Sequence, residues 1–516
     1  MVDSQDDKPN NSTTTVVVTG AAGAVGSQVV LCAVKQGFRV IAVDRPGAAF
    51  PTAEDAYETR EGDLTERRFC RRVVRDANVV IHAAANNNPG RPYEELEPTN
   101  VEATRWLYEA AEDFDAERFV HISTASLYRQ QRGVLDEDSE LEARSSYDAT
   151  KEEAERFLRS RRAEDLAWVI LRPSLIYGPR ARAFGATILT IPPILRMFVR
   201  YLPSFTGGPR INWVHAEDVA QAALLVATHP EALRTIYNVS DDVPLSYGEI
   251  MSAAIQAYGL EIGPTIQFPQ RLLASLARVL DADIVFRVAN NLVSPVWQRI
   301  RQHHNLTNNL RPGLDRSLLD YMTGDRVIGN ARLKALGWSP RWPDLRKGIP
   351  EAVKWYQQAK WLPDFHAIAD MEDPPDTRFG LVYNEVLRGT ANSDKTVALD
   401  LDVAFPNLKN LLVDRTAMLE GSIDLEGLVE RRPIKGTVEI TPGSGTLTYQ
   451  FGFDGDDGGG YRFRGEKRLS VFSPLSDFNH LEGRITNSRG EQVALVKVSL
   501  STKDGLAQTL MSLRLG

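Results

Sequence analysis

Thr15-Val16-Val17-Val18-Thr19-Gly20-Ala21-Ala22-Gly23-Ala24-Val25-Gly26 is the stretch on which the fold turns. The β-branched run TVVVT (15–19) predicts a short strand, and a helix is predicted over 24–36. Gly20, Gly23 and Gly26 permit the tight turn between them and let the backbone approach a pyrophosphate on the free N–H groups of the helix. A purely structural strand–helix turn would use the same glycines. Context adds specificity: a second strand is predicted over 38–43, and Asp44 closes it, placed where a carboxylate takes both hydroxyls of a ribose. A nicotinamide dinucleotide is therefore expected on Gly20, Gly23, Gly26 and Asp44. Asp44 repels a 2′-phosphate, which favours NAD. Arg45 offers that phosphate a cap, which keeps NADP as the second reading. Gly62-Asp63-Leu64 lies where a loop contacts adenine, so Asp63 joins the cofactor set; a plain helix N-cap is its alternative.

Outward from this turn, strand-like and helix-like segments alternate. Strands are expected at 79–83, 118–123 and 168–172, with a helix over 101–112. Such alternation predicts an α/β Rossmann fold, a doubly wound parallel sheet covered on both faces. After Pro173 the pattern loosens into a smaller substrate region, mainly 175–360, folded partly back into the sheet. Ala186–Phe205 is apolar there, read as core packing or as a greasy pocket or membrane-facing lip. Residues 217–228, 269–280 and 351–358 read as helices.

Tyr147-Asp148-Ala149-Thr150-Lys151 sets a phenol and an ammonium at i and i+4, on one helix face. A tyrosine near pKa 10 is too weakly acidic to act as a base at neutral pH, and a neighbouring ammonium lowers it. Tyr147 is then able to exchange a proton with a substrate hydroxyl, and Lys151 to hold the nicotinamide ribose as well. The preceding strand ends in Ser123-Thr124-Ala125-Ser126, which supplies a hydroxyl for the reacting oxygen.

These motifs resemble the extended short-chain dehydrogenases/reductases, the NAD-dependent epimerase/dehydratase family. The matching stretches are TGAAGAVG (19–26), VIHAAA (80–85), the Asn100 segment, ISTASLY (122–128), YDATK (147–151), RPSLIYGP (172–179), NWVHAEDVA (212–220), YNVSDDVP (237–244) and LGWSP (336–340), in family order. The resemblance implies Tyr147 as acid/base, Lys151 as its partner, Thr124 at the serine/threonine position, and Asn100 at the nicotinamide ribose, where a helix cap is the plainer role. It also narrows the reaction. Members that dehydrate sugars carry Asp-Glu after the Thr, where this chain has Ala125 and Ser126, and the glutamate of decarboxylating members is missing. Plain hydride transfer at a secondary alcohol or ketone, or hydride-out and hydride-in epimerisation, remains. The arginine of nucleotide-sugar members falls out of register at Arg210, and residues 315–338 are similar to 3β-hydroxysteroid dehydrogenase-like members. A hydrophobic, sterol- or lipid-like substrate is expected, with nucleotide-sugar epimerisation second and a non-catalytic NAD-binding scaffold third.

The C-terminal third follows another rule. Val397, Leu399, Leu401, Val403 and Phe405 alternate with Ala398, Asp400, Asp402 and Ala404, and the same period of two recurs at 447–453 and 496–500. A separate all-β sandwich or barrel is expected over 379–516, behind a Pro- and acid-rich linker at 361–378. Its segment GGYRFRGEKRL (459–469) is similar to a β-rich piece attached to cholesterol-oxidase-like lipid oxidases. A lipid-presenting barrel and a dimerisation module are both open roles for it. The acid-rich DGDDGGG (454–460) reads as a hairpin turn rather than a calcium loop.

The whole 516 residues carry a net charge of −8 without a dense basic stripe, which argues against a nucleic-acid partner. Met1–Thr15 is polar and lacks an apolar signal core, so residues 1–14 read as a disordered tail. No run reaches the roughly 18 apolar residues of a membrane span. The two cysteines, Cys32 and Cys70, suit a reducing cytoplasm. His215 is expected to anchor a strand–helix junction, and His303-His304 lacks companions at metal spacing, so no metal is proposed. A small-molecule substrate is the expected partner, with peripheral membrane contact and a homo-oligomer left open.

Overall fold

Strand β1 (Thr15–Thr19) is the hub of a parallel sheet, paired with β2 (Arg39–Asp44) on one side and β4 (Val79–His82) on the other. β3 (Glu58–Glu61) extends one edge. β5 (Arg118–Ile122), β6 (Trp168–Pro173) and β7 (Thr235–Val239) extend the other, in the order β7-β6-β5-β4-β1-β2-β3. The computed structural model describes residues 14–515 apart from 53–55, 89, 131–132, 183, 198–200, 269–281, 308, 311, 314–320, 322–323, 366–380, 407–413, 442–445, 469–479 and 501–513. The expected tail, the 269–280 helix and part of the 315–338 stretch thus lie outside the described residues.

Among the described residues the longer helices are α1 (Ala24–Lys35), α2 (Arg67–Val73), α3 (Ala103–Asp113), α4 (Ser146–Arg159), α5 (Phe184–Arg196), α6 (Ala216–Thr228), α7 (Tyr247–Ala257), α8 (Ala282–His303) and α9 (Leu345–Gln358), with shorter helical segments between. Because successive strand residues face opposite sides, each β-branched run feeds two cores. Val16, Val18, Ile81, Val120 and Val169 pack with α1 and α6. Val17, Ile41, Val80, Phe119 and Ile170 pack with α2, α3 and α4. The helix expected from Val101 begins differently. Pro98–Glu102 forms a π-helical turn, with the Ala103 N–H donating to Pro98 O, and α3 starts only at Ala103.

β7 returns the chain to the sheet edge from within residues 175–360, the stretch expected to bind substrate. That region has its own core, including Tyr177, Trp213, Ile250, Tyr356 and Trp361. Ala186, Ile188 and Leu189 of α5 belong to it, so these apolar side chains pack inward. The expected linker starts too early: Trp361 and Leu362 are buried, and the Trp361 ring lies 5.3 Å from Trp355 and 5.7 Å from Tyr356. Two large apolar side chains outweighed the proline signal that follows them.

The C-terminal strands are β8 (Leu381–Ala391), β9 (Lys395–Phe405), β10 (Thr416–Leu425), β11 (Val429–Thr441), β12 (Thr446–Asp454), β13 (Gly460–Arg468), β14 (His480–Asn487) and β15 (Gln492–Leu500). Each pairs antiparallel with the next, and β8 pairs with both β9 and β15, so the sheet closes into a barrel rather than a sandwich. The alternating residues point inward: Val397, Leu399, Leu401, Val403, Tyr449, Phe451, Val496 and Val498 are all buried. Residues 455–459 join β12 to β13 as a hairpin turn. Inside the barrel, Lys467 Nζ meets Glu385 Oε1 at 2.7 Å, and the Tyr449 hydroxyl donates to Glu385 Oε2.

Candidate active site

Parallel pairing puts the C-terminal ends of β1, β4 and β5 on one edge of the sheet, where α/β enzymes hold ligands. Gly20 sits at φ +68°, and a Cβ there would lie 2.7 Å from the Ala84 backbone nitrogen. A Cβ on Gly26 would lie 2.1 Å from Gly20 O. The missing Cβ of Gly26 therefore lets the helix close on the turn, and that of Gly20 lets the turn close on the chain after β4. Gly23 precedes α1 and has no side chain to cap it, which leaves the first-turn N–H groups open to an anion. This cradle fits a dinucleotide pyrophosphate.

Asp44 ends β2 and reaches the same turn. Its Oδ2 accepts from Ala22 N and its Oδ1 from Arg45 N, each at 2.8 Å. Sequence reasoning missed Arg180, whose guanidinium donates to Ala22 O at 3.3 Å and Phe50 O at 3.1 Å, strapping the loop after β2 to the glycine turn. Asp63 is exposed. Its Oδ1 accepts from Thr65 N at 2.9 Å, one turn before α2, whose preceding residue is Glu66, so Asp63 is not that helix's N-cap. Asn100 is not a cap either. Buried in the π-turn, it exchanges hydrogen bonds with Asn86 and donates to Thr150 Oγ1 at 3.0 Å, fixing the loop after β4 to α4.

Thr124 and Tyr147 flank the end of β5 and the start of α4. Thr124 Oγ1 accepts from Ser126 N at 3.1 Å and lies 2.9 Å from Ser126 Oγ, which donates to Asp148 Oδ1 at 2.6 Å. Tyr147 is partly buried. Burial, Asp148 and Tyr321 push its phenol up, contrary to the lowering expected from Lys151. The reason is where the lysine goes: its Nζ donates to Ile122 O at 2.6 Å and sits 3.0 Å from His121 Nε2. Burial pulls that ammonium down to about 7, against the raising influence of Glu155. Helical i, i+4 spacing fixes a shared face, not a shared contact.

Behind Lys151 lie two more buried residues that the sequence reading did not single out. His82 and His121 are direct partners on β4 and β5, with ring centroids 5.5 Å apart. Burial, with Lys151 adding, lowers His82 to about 3 and His121 well below the usual histidine range. Both are neutral imidazoles. The signal was a histidine near the end of each of two apolar runs, VVIH and RFVHI. Further out, Arg326 holds its guanidinium 4.8 Å over the Tyr321 ring. His215 precedes α6 and accepts from Glu217 N at 3.2 Å, the junction role expected of it.

Among the described residues no helix is long and apolar enough to cross a membrane. A family model described as "NAD dependent epimerase/dehydratase family" matches residues 16–240. The chain is 31% identical over 258 residues to the low-salt glycan biosynthesis protein Agl12 of Haloferax volcanii, covering 47% of this chain and 82% of that protein. It is 24% identical to 3beta-hydroxysteroid-dehydrogenase/decarboxylase isoform 1 of Arabidopsis thaliana, covering 58% and 66%. Its fold is like that of a dTDP-glucose 4,6-dehydratase from Streptomyces venezuelae solved with NAD and TYD bound: TM-score 0.50, 21% identity, 67% of this chain and 97% of that one. Its cofactor is NAD, and the chain belongs to the NAD-dependent epimerase/dehydratase family.

Proposed function

We propose that this protein is an NAD-dependent oxidoreductase that acts at a secondary alcohol or ketone of a hydrophobic, sterol- or lipid-like substrate, with Tyr147 as acid/base. The observation that carries this reading is the convergence of Thr124, Tyr147 and Lys151 with the glycine cradle on one sheet edge. Gly20, Gly23 and Gly26 would take the pyrophosphate, Asp44 the adenosine ribose, and Lys151 the nicotinamide ribose. Asp63 and Asn100 complete the cofactor set, Asn100 by holding the 86 loop against α4. NAD, when bound, supplies the hydride acceptor.

The chain's own part is proton management. Tyr147 moves the proton of the substrate hydroxyl, and its raised phenol needs positive charge beside it to do so near neutrality. Lys151, one helical turn along α4, is the cation the helix offers. Thr124 turns its hydroxyl from Ser126 to the reacting oxygen and steadies its charge. Ala125 and Ser126 stand where dehydrating members hold an acid pair, which supports simple hydride transfer. The steroid dehydrogenase relative supports an apolar substrate. Tyr147→Phe tests the mechanism: turnover is expected to fall about 10²–10⁴-fold with NAD binding retained. Undiminished turnover would overturn it. Sterols, long-chain alcohols and nucleotide sugars, screened by nicotinamide absorbance, identify the substrate class.

One observation favours nucleotide-sugar epimerisation as a second reading. The Arg326 guanidinium lies 4.8 Å over the Tyr321 ring, and Tyr321 is among the groups that raise the Tyr147 phenol. Glycan biosynthesis by the Agl12 relative agrees with it. Arg326→Ala should then raise KM for a nucleotide sugar and leave that for a sterol alone.

A further inference from the structure

We infer that His121 is a positioning residue for Lys151, presenting a neutral Nε2 that holds the amine at the C-terminal end of β5 and favours its charged form. The inference rests on the catalytic reading above and deepens it.

A lysine ammonium has three N–H donors and no acceptor. Ile122 O takes one at 2.6 Å and His121 Nε2 a second at 3.0 Å. One donor remains, and with two directions fixed, its direction is fixed as well. A single backbone carbonyl would leave Nζ free to rotate.

Two histidines lie in one row of the sheet. Thr19, His82 and His121 are register partners across β1, β4 and β5. His82 has both nitrogens satisfied: Nδ1 lies 2.7 Å from Thr19 Oγ1 and Nε2 lies 3.0 Å from Thr104 Oγ1. Thr104 already donates to Asn100 O, so it must accept from His82, which puts the proton of His82 on Nε2. His82 is thus a fully paired core histidine. His121 is not, because its Nδ1 is buried without a hydrogen-bond partner. To accept from the ammonium, His121 must carry its proton on that orphaned Nδ1. Leaving a buried donor unpaired costs about 1–3 kcal/mol, a cost an apolar side chain at this position would avoid. Its compensation in this structure is the contact with Lys151.

Among the described residues, few groups face Lys151. His121 and His82 face it from the sheet, both neutral. From its own helix comes Glu155, which is bound to Arg172 of β6. An acceptor that binds the charged form of an amine raises its pKa, so removing His121 should drive Lys151 neutral at lower pH.

The test uses the full-length protein with lysine labelled at 13Cε, and Lys151 assigned through Lys151→Arg. In His121→Leu the Lys151 titration is expected to move down by about one pH unit or more, and the alkaline limb of the pH–kcat profile to move with it. His121→Gln, whose Oε1 reaches the place of Nε2, is expected to restore both. An unmoved Lys151 titration in folded His121→Leu overturns the inference, as does a shift that His121→Gln fails to rescue. Failure of the catalytic reading looks different: Tyr147→Phe would turn over normally while the Lys151 titration still answered to His121.

Discussion

Asp44 Oδ2 accepts a hydrogen bond from the backbone N–H of Ala22 at 2.8 Å, so the end of β2 and the glycine turn form one unit before any ribose is bound. A carboxylate has about four lone-pair sites, so this bond and that to Arg45 N leave room for ribose hydroxyls. Asp44→Ala removes both functions at once. Hydrogen bonds to a charged group contribute about 1.5–3 kcal/mol, so NAD affinity should fall at least about tenfold, and discrimination against NADP should shrink with the lost repulsion. Calorimetric titration with each dinucleotide checks this; an unaltered NAD affinity would refute the assignment of Asp44.

Asp241, just beyond β7, gives a pH prediction. Its Oδ1 accepts from Asn212 and Trp213, its Oδ2 has no partner, and burial, with Asp344 and Asp242 adding, raises it to about 8. A raised carboxyl favours the protonated form in the folded state. Its stabilising contribution is therefore complete below the unfolded value of 3.8 and is lost as pH rises through about 8. Asp218, raised to about 6 mainly by burial, acts in the same direction over the lower part of this window. Asp241→Asn keeps the Oδ1 acceptor and abolishes the charge. Melting temperatures from pH 5 to 8.5 should fall less steeply in the variant than in the parent. Parallel curves would contradict it.

Inside the barrel, the Lys467–Glu385 pair is shielded from solvent on both sides. Removing one member of such a pair strands the other charge and costs about 3–5 kcal/mol. Lys467→Met should lower the barrel's urea midpoint accordingly, whereas Lys467→Met with Glu385→Met should recover much of the loss. Equal losses in the single and double variants would show that the ion pair is not what the interior depends on.

The boundary before the barrel is testable by truncation. A chain ending at 365 keeps Trp361 and Leu362 in the second core, while one ending at 360 loses both. Removing a buried tryptophan costs about 3–5 kcal/mol, so the shorter chain should melt earlier and the longer one should not. The longer chain also tests the barrel: normal activity on lipid-like substrates with altered oligomer size would leave it an assembly module.

Period and punctuation along the chain determined the architecture. The β-branched runs at 15–19, 79–82 and 118–122 lie between helices and so demanded a parallel sheet with two covered faces. The strict alternation at 397–405 demanded one buried face. Glycine at 20 and 26 was equally legible, because only a missing Cβ lets Gly20 meet Ala84 and Gly26 meet Gly20. Only the tertiary structure could decide where long side chains go. Barrel closure depends on β8 finding β15, more than a hundred residues away. The Lys151 amine goes to β5 rather than along its own helix because Ile122 O and His121 offer it acceptors in a buried place. Local spacing sets which way a side chain leaves the backbone; what it reaches is set by strands far off in sequence, and burial then decides which protons it keeps.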